Sequence, residues 1–174
     1  MTEPMFDASA LQFVGQTAEE VRTRLSVELD RLEAQLRGRQ ADWNTTQPGR
    51  DWSPAQEAEH VLKIDNSIVP IMRLLLSDKP LRPMPQVPGQ LKDGKRQAPD
   101  FTLPSETGLS FAALETEWAE HRRTLEETAA RVEPTPGRTF WHQFLGELDA
   151  LDWLRMITVH LRAHRKLLEA SAAA

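Results

Sequence analysis

The amino-acid sequence predicts an all-α fold, a four-helix bundle with a long proline-rich crossover between helices 2 and 3. In four separate segments, apolar residues recur at spacings of three and four, as on the buried face of an amphipathic helix. Between the second and third segments lies a long stretch that holds six prolines and lacks this periodicity. The length of 174 residues fits a single domain that spans residues 1–174.

The first helix is predicted over residues 9–37. Its apolar face consists of Val21, Leu25, Leu29, Leu32 and Leu36. Charged residues lie between these positions, so the helix is expected to bury one stripe and to expose the rest. Gly38 follows as a helix stop.

The second helix is predicted to begin at Pro54, with Ser53 as its N-cap. Gln56 lies three residues after the cap, which is the spacing of a capping box. The apolar face that follows is made of Val61, Ile64, Ile68, Ile71, Met72 and Leu75. Pro70 lies inside this pattern and is expected to kink the helix or to end it early.

Residues 79–107 form the predicted crossover. Half of the chain's twelve prolines lie in it, namely Pro80, Pro83, Pro85, Pro88, Pro99 and Pro104. A loop of this length is uncommon inside a compact domain and usually has a function. We interpret it as the surface connection that two parallel neighbouring helices require. A domain linker is the alternative, and the segment could also cover a pocket.

The third helix is predicted over residues 110–132 and ends before Pro134, Pro136 and Gly137. The fourth helix is predicted to begin after the segment "GRTFWHQF" and to run to about residue 170. Its wide apolar face includes Leu148, Leu151, Trp153, Leu154, Met156, Ile157, His160, Leu161, His164 and Leu168. No strand pattern or internal repeat competes with these helices.

Composition excludes several classes of function. The net charge of -5 and the absence of a basic run argue against nucleic acid as a partner. No apolar run approaches the ~20 residues that a membrane span needs, and the N-terminus lacks the features of a signal peptide, so a cytoplasmic location is the default expectation. The sequence contains no cysteine, so any thiol used in chemistry must come from outside the chain.

Two of the five histidines, His160 and His164, are four residues apart on the apolar face of the fourth helix. Imidazoles at this spacing can converge on one metal ion. The residue after His160 is not glutamate, so the zinc-protease pattern is absent. His60, at the edge of the apolar face of helix 2, is the candidate third ligand, although a histidine bonded to a carbonyl at the edge of the core is the simpler interpretation of this residue alone.

The remaining histidines are predicted to have other roles. His121, beside two arginines, is expected on a solvated flank of helix 3. His142, ahead of helix 4, is expected to hold the preceding loop to the bundle rather than to bind metal. Glu57, one turn before His60, is a candidate general base, but a solvated carboxylate at the start of a helix is the simpler interpretation.

Three segments together resemble the DinB/YfiT-like superfamily of four-helix bundle metalloproteins: "DWSPAQEAEHV", the proline-rich crossover, and "TFWHQFLGELDALDWLRMITVHLRAHRKLLE". The superfamily pattern has a Trp-Ser or Trp-Thr start to helix 2, here Trp52-Ser53, with a histidine about two turns later, here His60. It continues with a histidine shortly before a Phe/Leu-Gly-x-Leu segment, here His142, and with an Asp/Glu-Trp pair, here Asp152-Trp153. It closes on His-x3-His, here His160 and His164. The resemblance covers nearly the whole chain.

The resemblance implies one divalent metal ion, nickel, zinc, iron or manganese, held by His60, His160 and His164. The chain departs from the family at Leu167, which stands where the family often has glutamine. This departure leaves the histidine triad intact and puts any role of that glutamine towards substrate in doubt.

Three functions are compatible with such a site. The resemblance points first to a thiol S-transferase of stress response or detoxification, in which the metal activates a low-molecular-weight thiol such as bacillithiol, mycothiol or glutathione for addition to a small electrophile. Trp52 or Trp153 could wall its pocket. A hydrolase that uses a metal-bound water is the second. The third is a non-enzymatic, metal-stabilised binding or dimerisation module, and a homodimer is compatible with all three.

Overall fold

A computed structural model describes residues 2–171 of the chain, and four α-helices account for most of them. The helices are α1 Ala18–Arg37, α2 Pro54–Leu76, α3 Phe111–Ala129 and α4 Ala150–Ser171. Short 3₁₀ helices precede α1 at Ala8–Val14 and occupy Gln40–Asp42 and Asp100–Thr102 in the connections. The predicted four-helix bundle with a crossover between α2 and α3 is confirmed, whereas the assignment of residues 1–174 to one domain stays a prediction.

The helices α2 and α3 are parallel neighbours. Asp65 contacts His121, and further along both helices Arg73 donates a hydrogen bond to Thr128. Residue numbers rise together in these contacts, so the two helices run in the same direction. A tight turn cannot join parallel helices, which is why the chain needs the long crossover at this point.

The helices α1 and α4 form a second parallel pair. Arg155, near the start of α4, donates to the Gly15 carbonyl just ahead of α1, and Arg165 further along pairs with Glu28. Leucines at helical spacing on α1 are buried against the rest of the bundle, as the periodicity predicts: Leu25, Leu29, Leu32 and Leu36.

The start of α2 agrees with the sequence in detail. The Ser53 side chain accepts a hydrogen bond from the Gln56 backbone, and the Gln56 side chain accepts one from the Ser53 backbone. This capping box satisfies N–H groups that the first turn leaves unpaired. It also fixes where the helix begins, and with it the position of the histidine two turns later.

The prediction that α2 ends early at Pro70 is wrong. The helix continues to Leu76, and Pro70 lies on its exposed face. Proline has no N–H to donate to the Asn66 carbonyl four residues earlier. Asn66 is also an exposed residue, so water can take the place of that hydrogen bond. The alternative expectation, a kink at Pro70, stays a prediction.

The prediction of one continuous first helix over residues 9–37 is also wrong. A 3₁₀ helix ends at Val14, and Gly15 separates it from α1 with a φ of +153°. A Cβ atom at Gly15 would lie 2.8 Å from the Val21 nitrogen. The Thr17 side chain then caps α1 by accepting a hydrogen bond from the Glu20 backbone.

Two small antiparallel hairpins contradict the prediction of a chain without strands. The first, β1 Leu91–Lys92 with β2 Lys95–Arg96, lies within the crossover. The second, β3 Phe140–His142 with β4 Gly146–Leu148, occupies residues that were expected to lead directly into helix 4. Because of it, α4 begins only at Ala150. Strands of two or three residues are too short to produce a readable alternation.

No helix within residues 2–171 is long and apolar enough to cross a membrane.

Gly108, at the end of the crossover, packs against the backbone at the start of α2. We predict a large loss of stability when it is replaced. It has a φ of +70°, and a Cβ there would lie 2.4 Å from the Ala55 backbone carbon. Gly108→Ala should therefore lower the free energy of unfolding by about 2 kcal/mol or more, measured by urea denaturation. Gly94→Ala is the matched control, because Gly94 has a φ of +76° with nothing within 4 Å of the added Cβ. Equal losses in the two variants would contradict the close contact at Gly108.

Candidate metal centre

Three histidines from two antiparallel helices meet in the bundle. His60 lies on α2, and His160 and His164 lie one turn apart on α4. His160 contacts His60, whereas His164 contacts Glu57, which is earlier on α2, so α2 and α4 run in opposite directions. The Nε2 atom of His160 lies 3.2 Å from that of His60 and 3.0 Å from that of His164.

The distances from His160 to the other two nitrogens fit ligands of one metal ion. Imidazole nitrogens bind first-row divalent ions at ~2.0–2.1 Å, which places neighbouring ligand nitrogens roughly 2.9–3.4 Å apart in tetrahedral or octahedral geometry. One ligand atom from each of the three histidines lies within 4.8 Å of the others. The cluster is therefore compatible with a three-histidine metal site.

Two of the three rings are held with the Nε2 lone pair directed inward. The Nδ1 atom of His60 donates a hydrogen bond to the Thr102 carbonyl at 2.8 Å, and the Nδ1 atom of His164 donates one to the Glu57 carboxylate at 2.5 Å. In a neutral imidazole with its proton on Nδ1, Nε2 is left as an acceptor. A proton on His160 Nε2 could serve only one of the two neighbouring lone pairs at a time, whereas a cation would satisfy all three nitrogens.

Burial keeps the ring of His60 neutral. Removal from water lowers its pKa to about 4, and the nearby His164 acts in the same direction. Burial also lowers the pKa of His160 well below its usual value. An imidazole binds a metal ion in its neutral form, so these two rings do not have to release a charge-bearing proton before they bind an ion at neutral pH.

Trp52 and the crossover lie beside the triad. The indole of Trp52 lies 4.7 Å from the His60 ring and 6.4 Å from the His164 ring, to which it is nearly parallel. The 3₁₀ helix Asp100–Thr102 supplies the carbonyl that bonds His60, so the crossover reaches the site as the sequence analysis allowed. Trp153, the other candidate wall, packs instead against His142 at 5.4 Å.

The comparisons with known proteins agree with this architecture. The family model of the DinB superfamily matches residues 17–168. The chain belongs to the DinB superfamily. The crystal structure of TT2238, a four-helix bundle protein, is similar to this chain with a TM-score of 0.61 and 28% sequence identity, and the match covers 89% of this chain and 100% of that one. No curated protein matches the sequence.

Glu57 is a buried part of this DinB-superfamily site, and the expectation of a solvated carboxylate is wrong. Glu57 is 1% exposed. One of its carboxylate oxygens accepts a hydrogen bond from His164, and the other accepts one from the Arg50 guanidinium. Glu57 lies three residues before His60 and therefore on the same helix face, a signal from which its position could have been predicted. Arg50 comes from a loop and Thr102 from a 3₁₀ helix of three residues, where no periodicity indicates which residues reach the site.

His121 is buried, which contradicts the prediction of a solvated flank. It is 3% exposed, its Nε2 lies 2.5 Å from an Asp65 carboxylate oxygen, and its ring packs on Trp118. It lies on the α2-facing side of α3, although two arginines follow it in the sequence. The structure does not bring it into the triad.

His142 holds the loop ahead of α4, in agreement with the sequence analysis. Its Nδ1 accepts hydrogen bonds from the backbone N–H groups of Phe144 and Leu145 at 3.1 and 3.2 Å. Leu167, at the position where the superfamily often has glutamine, is 39% exposed and offers no polar group. Neither residue is part of the triad.

Proposed function

We propose that the chain is a metal-dependent thiol S-transferase in which His60, His160 and His164 hold one divalent ion. The observation that carries the proposal is the convergence of three Nε2 atoms at 3.0–3.2 Å contacts. A cluster of imidazoles without a cation would bring lone pairs together at a cost in free energy, which makes a structural role for bare histidines a poor explanation.

An ion bound by three neutral imidazoles would supply a Lewis acid with open coordination positions, at which a thiol loses its proton near neutral pH. Nickel, zinc, iron and manganese are all compatible with nitrogen ligands, and availability in the cell often decides among them. The histidines would hold the ion and so fix where the thiol reacts in the bundle, and the Trp52 indole lies against the rings of His60 and His164.

The acceptors outside the triad fix the ligands before anything binds. The Thr102 carbonyl and the Glu57 carboxylate hold the rings of His60 and His164 in one tautomer and one orientation. Prepositioned ligands lose little conformational freedom when an ion binds, so the site is expected to bind it tightly.

The thiol of this reaction would come from outside the chain, which has no cysteine. The family resemblance implies a small thiol such as glutathione, bacillithiol or mycothiol, and a small electrophile as the other substrate. The hydrolase alternative is less favoured, because its candidate base Glu57 already accepts one hydrogen bond on each oxygen, from Arg50 and from His164. A role in stress response, a cytoplasmic location and a homodimer stay predictions.

A turnover assay tests this function. Metal-loaded protein is supplied with an activated aryl chloride as electrophile and with each of the three thiols in turn, and conjugate formation above the uncatalysed rate is followed by absorbance. We expect thiol-dependent turnover that His60→Ala loses. Consumption of an activated ester without any thiol would overturn the transferase in favour of the hydrolase. A loaded protein that turns over nothing would favour the binding module.

A further inference from the structure

We infer that Glu57, paired with Arg50, is a positioning residue that makes His164 a charge-assisted ligand, distinct from the other two histidines of the triad. The inference rests on the proposed metal site and adds to it a residue that sets metal affinity. It concerns the arrangement Arg50–Glu57–His164, in which the half-buried Arg50 and the buried Glu57 form an ion pair that is bonded to one ligand of the three.

The three histidines differ in the hydrogen-bond partner of Nδ1, the ring nitrogen that faces away from the ion site. His164 donates from Nδ1 to a carboxylate at 2.5 Å, whereas His60 donates from Nδ1 to a neutral backbone carbonyl at 2.8 Å. The Nδ1 atom of His160 is buried and has no hydrogen-bond partner within residues 2–171. A charged acceptor polarises an imidazole more strongly than a neutral one, so Nε2 of His164 is expected to be the strongest donor to a metal ion.

The surroundings of Glu57 on α2 stabilise a negative charge on its side chain. It lies in the first turn, where the positive end of the helix dipole favours an anion. The Arg50 guanidinium, from the loop that precedes α2, bonds its second oxygen. A carboxylate that is 1% exposed would be costly without such partners, and here each oxygen has one.

The consequence concerns charge at the metal. Three neutral imidazoles leave the two positive charges of a divalent ion unbalanced. Among the carboxylates that the structure describes, Glu57 alone accepts a hydrogen bond from an imidazole of the triad. Loss of its charge should therefore weaken metal binding even where the hydrogen bond and the shape of the site remain.

Glu57→Gln separates these effects, because glutamine keeps the size and an oxygen that can accept from His164 Nδ1 but lacks the charge. We expect the Zn²⁺ dissociation constant, measured by competition with a chromophoric chelator, to rise about 10- to 100-fold. This range is typical when the residue that hydrogen-bonds to a metal ligand is replaced. The visible absorption of the Co²⁺-loaded variant should also shift, a change that a purely structural role of Glu57 would not produce.

Glu59→Gln is the matched control. Glu59 lies two residues further along α2 and bonds Ser105 rather than a histidine, so its dissociation constant for Zn²⁺ should stay within twofold of the wild type. If Glu57→Gln fails to fold because Arg50 is left unpaired, the double variant Arg50→Met, Glu57→Gln removes both charges and should show the same weakening.

The outcomes separate the inference from the proposed function. A wild-type protein that binds no Zn²⁺ would overturn the metal site itself. A wild type that binds one ion, beside Glu57 variants with affinity within twofold of it and an unchanged Co²⁺ spectrum, would overturn only the role of Glu57.

Discussion

Replacing His160 with alanine is expected to abolish stoichiometric binding of a divalent ion. The Nε2 atom of His160 contacts those of both other histidines, so its loss removes the central ligand of the three. Two imidazoles hold an ion less tightly than three, so we expect the dissociation constant of the divalent ion to rise by more than about 100-fold. Calorimetric titration of chelator-treated protein with Zn²⁺ or Ni²⁺ measures the change.

His142→Asn is the control for the titration, because it removes a histidine outside the triad and keeps a side-chain oxygen near the position of Nδ1. This variant should bind one ion with the affinity of the wild type. Unchanged stoichiometry in His160→Ala, with a helical circular dichroism spectrum equal to that of the wild type, would rule out the triad as the binding site.

The second large effect is expected on stability, at the buried pair of Asp65 and His121. The two residues are 0% and 3% exposed, and they connect α2 to α3. Burial raises the pKa of the Asp65 carboxyl above its usual range, and its hydrogen bond with His121 opposes that rise. His121→Leu leaves this carboxyl buried without its partner, so the free energy of unfolding should fall by about 3–5 kcal/mol in urea denaturation.

A double variant distinguishes loss of the pair from loss of packing. Asp65→Leu together with His121→Leu removes both polar groups, and apolar replacements of buried pairs are often close to neutral, so most of the lost stability should return. Glu120→Gln, which changes an exposed residue next to His121, should leave unfolding unchanged. A double variant no more stable than the single one would show that the pair does not explain the loss.

The elements that the sequence predicts well are those with local signals. Leucine spacing located the buried face of α1, and the Ser53-Gln56 capping box located the start of α2. The i, i+4 spacing of His160 and His164 requires only a helix to bring the two rings together. The place of His60 on the apolar edge of α2 and the family pattern both indicate the third histidine, so the sequence predicts all three without any tertiary contact.

The errors occur where tertiary contacts or single residues override the pattern. Gly15 interrupts a periodicity that is otherwise continuous, because the chain approaches Val21 too closely for a side chain. The two arginines that follow His121 indicate a solvated position, whereas its side chain reaches a carboxylate on the neighbouring helix. The Asp93-Gly94 turn, with both φ values positive, is a hairpin signal that could have revealed the first pair of strands.

The proposed function depends on one divalent ion held between His60, His160 and His164. An anomalous difference map tests it, from a crystal grown with Zn²⁺ and recorded on both sides of the zinc absorption edge. We expect one strong peak per chain, ~2.0–2.1 Å from the Nε2 atom of each of the three histidines. No peak at the triad in protein saturated with Zn²⁺, or a peak only elsewhere on the chain, would rule out this site.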